Sequence, residues 1–171
     1  MFLLLIFFPS LVDAFFPQGY PESCSQQIRR AELNCPSSMD GLQIRLSSAE
    51  DIAQYCASLA ELEKCSPELD MDCLLDERIG LCSNPSVREK AERQAACLNG
   101  VLLQHSDKIH ECVEQQPTSD PCDVEFRLGC FLDSMGNSCG VEGTEVVTFV
   151  AKTKDEQCHR LTRGGNPRVQ K

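Results

Sequence analysis

Twelve cysteines, all downstream of residue 23, constrain this 171-residue chain more than any other feature. Thiols at that density stay reduced in a cytosol and pair where the surroundings oxidise them. An even count therefore reads as the disulfide framework of an exported protein. The N-terminus points the same way. Met1 to Phe8 is a short apolar run closed by Pro9, followed by Val12 and the small residue Ala14. That is the layout of a secretory signal peptide over residues 1–14, cut between Ala14 and Phe15. The run is well short of the ~20 residues that cross a bilayer as a helix, and no second apolar segment of that length follows. The expectation is a secreted, extracellular protein without a membrane span. Its cysteines are Cys24, Cys35, Cys56, Cys65, Cys73, Cys82, Cys97, Cys112, Cys122, Cys130, Cys139 and Cys158. All are expected in bridges, with the pairing left open.

Zinc is the weaker reading of these cysteines. Structural zinc sites use closely spaced pairs such as C-x2-C, whereas the shortest gap here is seven residues, between Cys65 and Cys73 and between Cys122 and Cys130. Charge is uneven along the chain. Residues 152–171 carry six bases and two acids, while the whole chain is at −10. An acidic body argues against nucleic-acid binding. The basic end, residues 163–171 with Gly164-Gly165-Asn166-Pro167, reads as a disordered, solvated tail. Arg160-Leu-Thr-Arg163 before the two glycines is a candidate convertase site that would trim it.

The apolar periodicity predicts helices throughout. Cys24 to Cys35 forms a first, ended by Pro36-Ser37-Ser38. A second starts at Ser47 with Glu50 completing a capping box and buries Ile52, Tyr55, Cys56, Leu59 and Leu62. A shorter one covers Asp70 to Cys82 before Asn84-Pro85 breaks the chain. The longest opens at Ser86 with Glu89, again as a capping box, and runs to Cys112, with a kink expected at Gly100. Asp120-Pro121 starts another, stopping at Gly136-Asn137. Thr144 to Leu161 has strand-like composition around Val146 to Val150, but Val147, Val150, Ala151, Lys154, Cys158 and Leu161 keep a helical period, and the segment is read as a helix capped by Thr144.

Spacing also suggests an internal repeat. Cys56-x8-Cys65-x7-Cys73-x8-Cys82 parallels Cys112-x9-Cys122-x7-Cys130-x8-Cys139, and Cys73-Leu-Leu-Asp76 parallels Cys130-Phe-Leu-Asp133. The fold class that follows is all-α: a disulfide-rich helical bundle over residues 15–162, built from two related, internally stapled halves of about 24–97 and 98–158. This register predicts that Cys65, Cys73 and Cys82 are bridged as Cys122, Cys130 and Cys139 are.

Catalytic motifs are sparse. His105, His110 and His159 belong to no metal-binding pattern, and no nucleophile elbow or phosphate-binding glycine loop occurs. The acid pairs Asp70/Asp72, Asp76/Glu77 and Asp155/Glu156 lack calcium-loop spacing and read as solvated helix faces. Asn137-Ser-Cys139 is only a rare glycosylation variant. No catalytic residue, metal or cofactor is expected.

Twelve cysteines on amphipathic helices behind a signal peptide resemble a secreted domain abundant in nematodes, catalogued as a domain of unknown function (family 19). The resemblance spans Cys24 to Cys158, including Cys139-Gly140-Val-Glu142 at the start of the last helix. It implies an extracellular all-helical domain with six disulfides and no established activity. The chain is also similar to insect odorant-binding proteins in size, acidity and C-x8-C spacing, but lacks their C-x3-C. It is similar in spirit to the paired helical domains of glial-factor co-receptors. The functional expectation is a non-enzymatic module binding an extracellular protein, with carriage of a small apolar ligand between helices as the alternative.

Overall fold

The computed structural model describes residues 22–74, 76–115 and 124–164, with the backbone alone for residues 22, 23 and 162–164. The expected signal segment with Ala14 and Phe15, the expected Asp120-Pro121 helix start, Cys122 and residues 165–171 lie outside them. Seven α-helices and a 3-10 turn follow one another: α1 Glu22–Asn34, α2 Pro36–Gly41, α3 Ala49–Cys65, the turn Met71–Leu74, α4 Ile79–Ser83, α5 Pro85–Glu114, α6 Val124–Met135 and α7 Gly140–Gly164. Among the described residues there is no strand, so the all-α class holds. The ambiguous stretch 144–161 lies wholly within α7, where Val146, Val147, Val150, Ala151 and Cys158 are buried.

Several helix ends differ from the sequence expectation, each for a local reason. Pro36 starts a helix, because proline at the first position loses an N–H that would have no partner there. Ser48, not Ser47, caps α3: its hydroxyl accepts from the Asp51 amide at 3.1 Å, and Ser47 donates to the Asp51 carboxylate from both its amide and its hydroxyl. Likewise Asn84 caps α5 by accepting from the Val87 amide, with Pro85 first in the helix, so Asn84-Pro85 starts this helix and Ser86 is already inside it. The segment 70–82 is not one helix but the 3-10 turn and α4, separated at Asp76-Glu77. In α5 the non-helical backbone sits at His105 (φ −121°, ψ 15°), not Gly100. Thr144 lies one turn inside α7, donating back to the Gly140 carbonyl. Residues 163 and 164 of the expected disordered tail belong to that helix. The Gly136 stop is as read: φ is +51°, a conformation glycine adopts without steric cost, and it closes α6 by donating to the Leu132 carbonyl.

α5 is the central helix, packed against α3, α4, α6 and α7. It supplies Ala91, Ala95, Leu98, Leu102 and Ile109 to the core, where they meet Ile52, Leu59 and Leu62 of α3, Phe131 and Met135 of α6, and Val147 and Val150 of α7. α7 runs antiparallel to α5, since Lys90 pairs with Glu145, Arg93 with Glu142, and Cys97 with Cys139.

Five bridges join described cysteines: Cys24–Cys73, Cys35–Cys65, Cys56–Cys82, Cys97–Cys139 and Cys112–Cys130. Cys158 is also disulfide-bonded, and no described cysteine is free. The first three bridges stay within residues 24–82 and the next two within 97–139, so none of these five joins the two regions. The expected matching of Cys65, Cys73, Cys82 with Cys122, Cys130, Cys139 fails. Cys73 reaches back to Cys24 while Cys130 pairs with Cys112, and Cys82 pairs with Cys56 while Cys139 reaches back to Cys97. A different register fits. Numbering six cysteines in each region, first joins fifth (Cys24–Cys73, Cys97–Cys139) and second joins fourth (Cys35–Cys65, Cys112–Cys130). Gap lengths follow helix and loop lengths, whereas pairing follows which sulfurs the packed helices bring together. The boundary at 97/98 falls inside α5.

Candidate functional site

Among the described residues, a cluster of polar side chains is buried between residues 76–78 and the facing helices. The chain between the 3-10 turn and α4 is irregular, and its backbone carries Asp76, Glu77 and Arg78 inward. Arg78 is 6% exposed. Its guanidinium is gripped from two sides: Nε and Nη2 donate to Asp76 at 2.8 and 2.7 Å, and Nη1 and Nη2 donate to the carbonyls of Ile44 and Leu42 at 2.9 and 2.7 Å. The same group lies 4.7 Å from the centre of the Tyr55 ring. The planar, five-donor guanidinium can satisfy a carboxylate, two carbonyls and an aromatic face together, which an ammonium cannot.

α7 closes this cluster. Lys154 Nζ lies 3.4 Å from Glu77, and both side chains are about nine-tenths buried. Gln157, 2% exposed, donates to the Asp76 carbonyl at 3.2 Å. Farther out, Arg160 holds Asp72 with two hydrogen bonds.

The protonation states follow from these partners. Burial alone would raise the Asp76 carboxyl, but the charge and hydrogen bonds of Arg78 outweigh it and hold the group below the ordinary carboxylate range. Arg78 is pushed above its ordinary value despite its burial, chiefly by Asp76. Burial, then the Asp76 charge, lifts the Tyr55 phenol well above its usual value and keeps it neutral. Chemically the cluster is an organising one. Its acid and base saturate each other and anchor the α2–α3 connection, the turn before α4, and α7 to one another.

The structure thus corrects one sequence reading: Asp76 and Glu77 are not on a solvated helix face. Asp133, matched to Asp76 by the Leu-Asp dipeptide, is exposed on α6. The other acid pairs are surface groups, with Asp72 on Arg160, Asp155 on His159 and Glu156 near Lys152. His110 pairs with Glu114 one turn on, and His105 sits at the α5 kink. Cys139 of Asn137-Ser-Cys139 is bridged. Among the described residues no group of three or more His, Cys, Asp or Glu is placed to hold a metal, and no helix is long and apolar enough to cross a membrane. Sequence reasoning missed Arg78. An Asp-x-Arg triplet looks the same in a surface loop, and only the facing carbonyls of residues 42 and 44 mark it as interior.

A second feature is apolar. Leu46, Ile52, Leu81, Ala95, Leu98 and Val147 are among the residues lining a cavity of about 20 Å³ between α3, α4, α5 and α7, about the room of one water molecule.

No protein-family model matches this chain, and no curated protein or solved structure does.

Proposed function

We propose that this chain is a secreted extracellular protein, built as two copies of one six-cysteine helical unit, that acts by binding a protein partner and not by catalysis. The observation that carries the reading is the bridging: eleven described cysteines are all disulfide-bonded, a state that persists in oxidising compartments. The apolar leader ending at Ala14 supports the same compartment. The repeated pairing order supports the two copies. Binding is favoured over catalysis because the interior acids and bases neutralise one another and so supply no poised general acid or base. Among the described residues, the cavity at the α3–α5–α7 junction is far below the ~300 Å³ or more that an apolar ligand fills, so that junction does not support carriage.

Expression of the full sequence in a secreting host tests the compartment. The protein should reach the medium with Phe15 at its N-terminus and no alkylatable thiol; retention in the cytosol with free thiols would sink the reading. An apolar fluorescent probe separates the two binding modes. Saturable uptake, reversed by a lipid extract, would favour the carrier.

A further inference from the structure

The end of α7 carries a basic sequence that the proposed binding role does not draw on. Arg160-Leu-Thr-Arg163 precedes Gly164, the last residue of the helix. Two arginines separated by two residues, with glycine after the second, are what arginine-specific endoproteases of the secretory pathway read. Such enzymes bind their substrate as an extended strand. The last four carbonyls of a helix have no intrahelical partner, so a helix end unwinds at lower cost than a helix middle.

Two contacts among the described residues bear on how far it can open. Cys158 is buried and disulfide-bonded, so unwinding stops beyond it. Arg160 Nε and Nη2 hold the two Asp72 oxygens at 2.5 and 2.8 Å. Asp72 cannot follow a moving helix, because the next residue, Cys73, is buried and bridged to Cys24. Arg160 is therefore contested: Asp72 holds it while the helix is wound, with Glu156 farther off at 4.0 Å, and the protease takes it when the chain is extended.

We propose that the Arg163–Gly164 bond is a processing site for an arginine-specific secretory endoprotease, and that the Asp72–Arg160 pair is the gate that sets its rate. Hydrolysis breaks the bond between the Arg163 carbonyl carbon and the Gly164 nitrogen. Water gives its hydroxyl to the carbonyl carbon and a proton to the new amine. Residues 164–171 leave with two bases, Arg168 and Lys171, and no acid. The biological setting rests on the secretion proposed above, but the bond and its gate can be tested without it.

The test uses the oxidised chain from Phe15 to Lys171, a purified subtilisin-like convertase and intact-mass spectrometry. A linear peptide of residues 157–169 with Cys158→Ser serves as the rate standard. The wild-type chain should lose residues 164–171 more slowly than the peptide is cut. Asp72→Asn should raise that rate about two- to five-fold, the worth of an exposed ion pair. Arg160→Ala should lower it, although it breaks the same pair, because the protease then loses one of its two arginines. A merely loosened helix end would speed up in both variants. Raising salt to about 0.5 M screens the pair without a substitution and should speed the wild-type chain relative to the peptide. Cleavage of the peptide but of neither wild type nor Asp72→Asn would overturn the proposal, as would equal rates for wild type and Asp72→Asn or a faster Arg160→Ala chain. An intracellular chain that is nonetheless cut as described would sink the secretion reading and leave the gate standing.

Discussion

Asp76 and Asp133 follow the same kind of tripeptide, Cys-Leu-Leu and Cys-Phe-Leu, yet one is an interior counter-ion and the other an exposed side chain. Substitution should separate them sharply. Asp76→Asn leaves Arg78 charged and buried without its carboxylate, and should cost roughly 3–5 kcal/mol in denaturant unfolding. Asp133→Asn should stay within about 0.5 kcal/mol. The same carboxylate has a pH signature. Its value is lowered in the fold, so below the ordinary range near ~4 the unfolded chain binds the proton first. Its contribution is therefore complete above about pH 4 and is lost as pH falls toward the folded value. Asp51, lowered chiefly by the Ser47 hydroxyl, adds to the same acid limb. Denaturant midpoints measured from neutral pH downward should fall through this window and fall less steeply in Asp76→Asn.

Elements follow their caps and periods, and here most of the fold was legible. The buried positions Ile52, Tyr55, Cys56, Leu59 and Leu62 of α3 are the ones its period picks out. Where reading failed, two local signals competed. Asn84-Pro85 can end one helix or begin the next, and the burial of Leu81 before it and Ala91 after it made it both. Asn84→Ala should cost roughly 0.5–2 kcal/mol through the lost cap. Glycines give an element-scale contrast. A Cβ at Gly100 would meet nothing within 4 Å, so Gly100→Ala should stabilise α5 by about 0.5–1 kcal/mol. At Gly80 it would come within 2.7 Å of the Thr153 hydroxyl and 3.0 Å of the Phe149 ring. Gly80→Ala should push α4 off α7, destabilising by about 1–3 kcal/mol.

The whole molecule is held by bridges grouped by region, with α5 as its central helix and polar contacts from α7. Non-reducing digestion and mass spectrometry should return the five described pairs. By elimination a sixth peptide should join Cys158 to Cys122, making third to sixth the last pair in each unit. A peptide linking Cys122 elsewhere would break the two-copy reading. Full reduction should lower stability by several kcal/mol, since each bridge is worth ~2–4 kcal/mol before native strain is subtracted.

What the amino-acid order settles by itself is local: helices with apolar stripes, glycine where φ must be positive, and sulfur enough to staple them. The cysteines with which the reading began were legible as staples but not as pairs. Gaps along a chain measure helix and loop lengths, while a bridge needs two sulfurs in contact across packed elements. The same reason separates Asp76 from Asp133. Burial is a property of what lies opposite, and only the packed α2–α3 connection, α3 and α7 supply the carbonyls, ring and amide that make residues 76–78 interior.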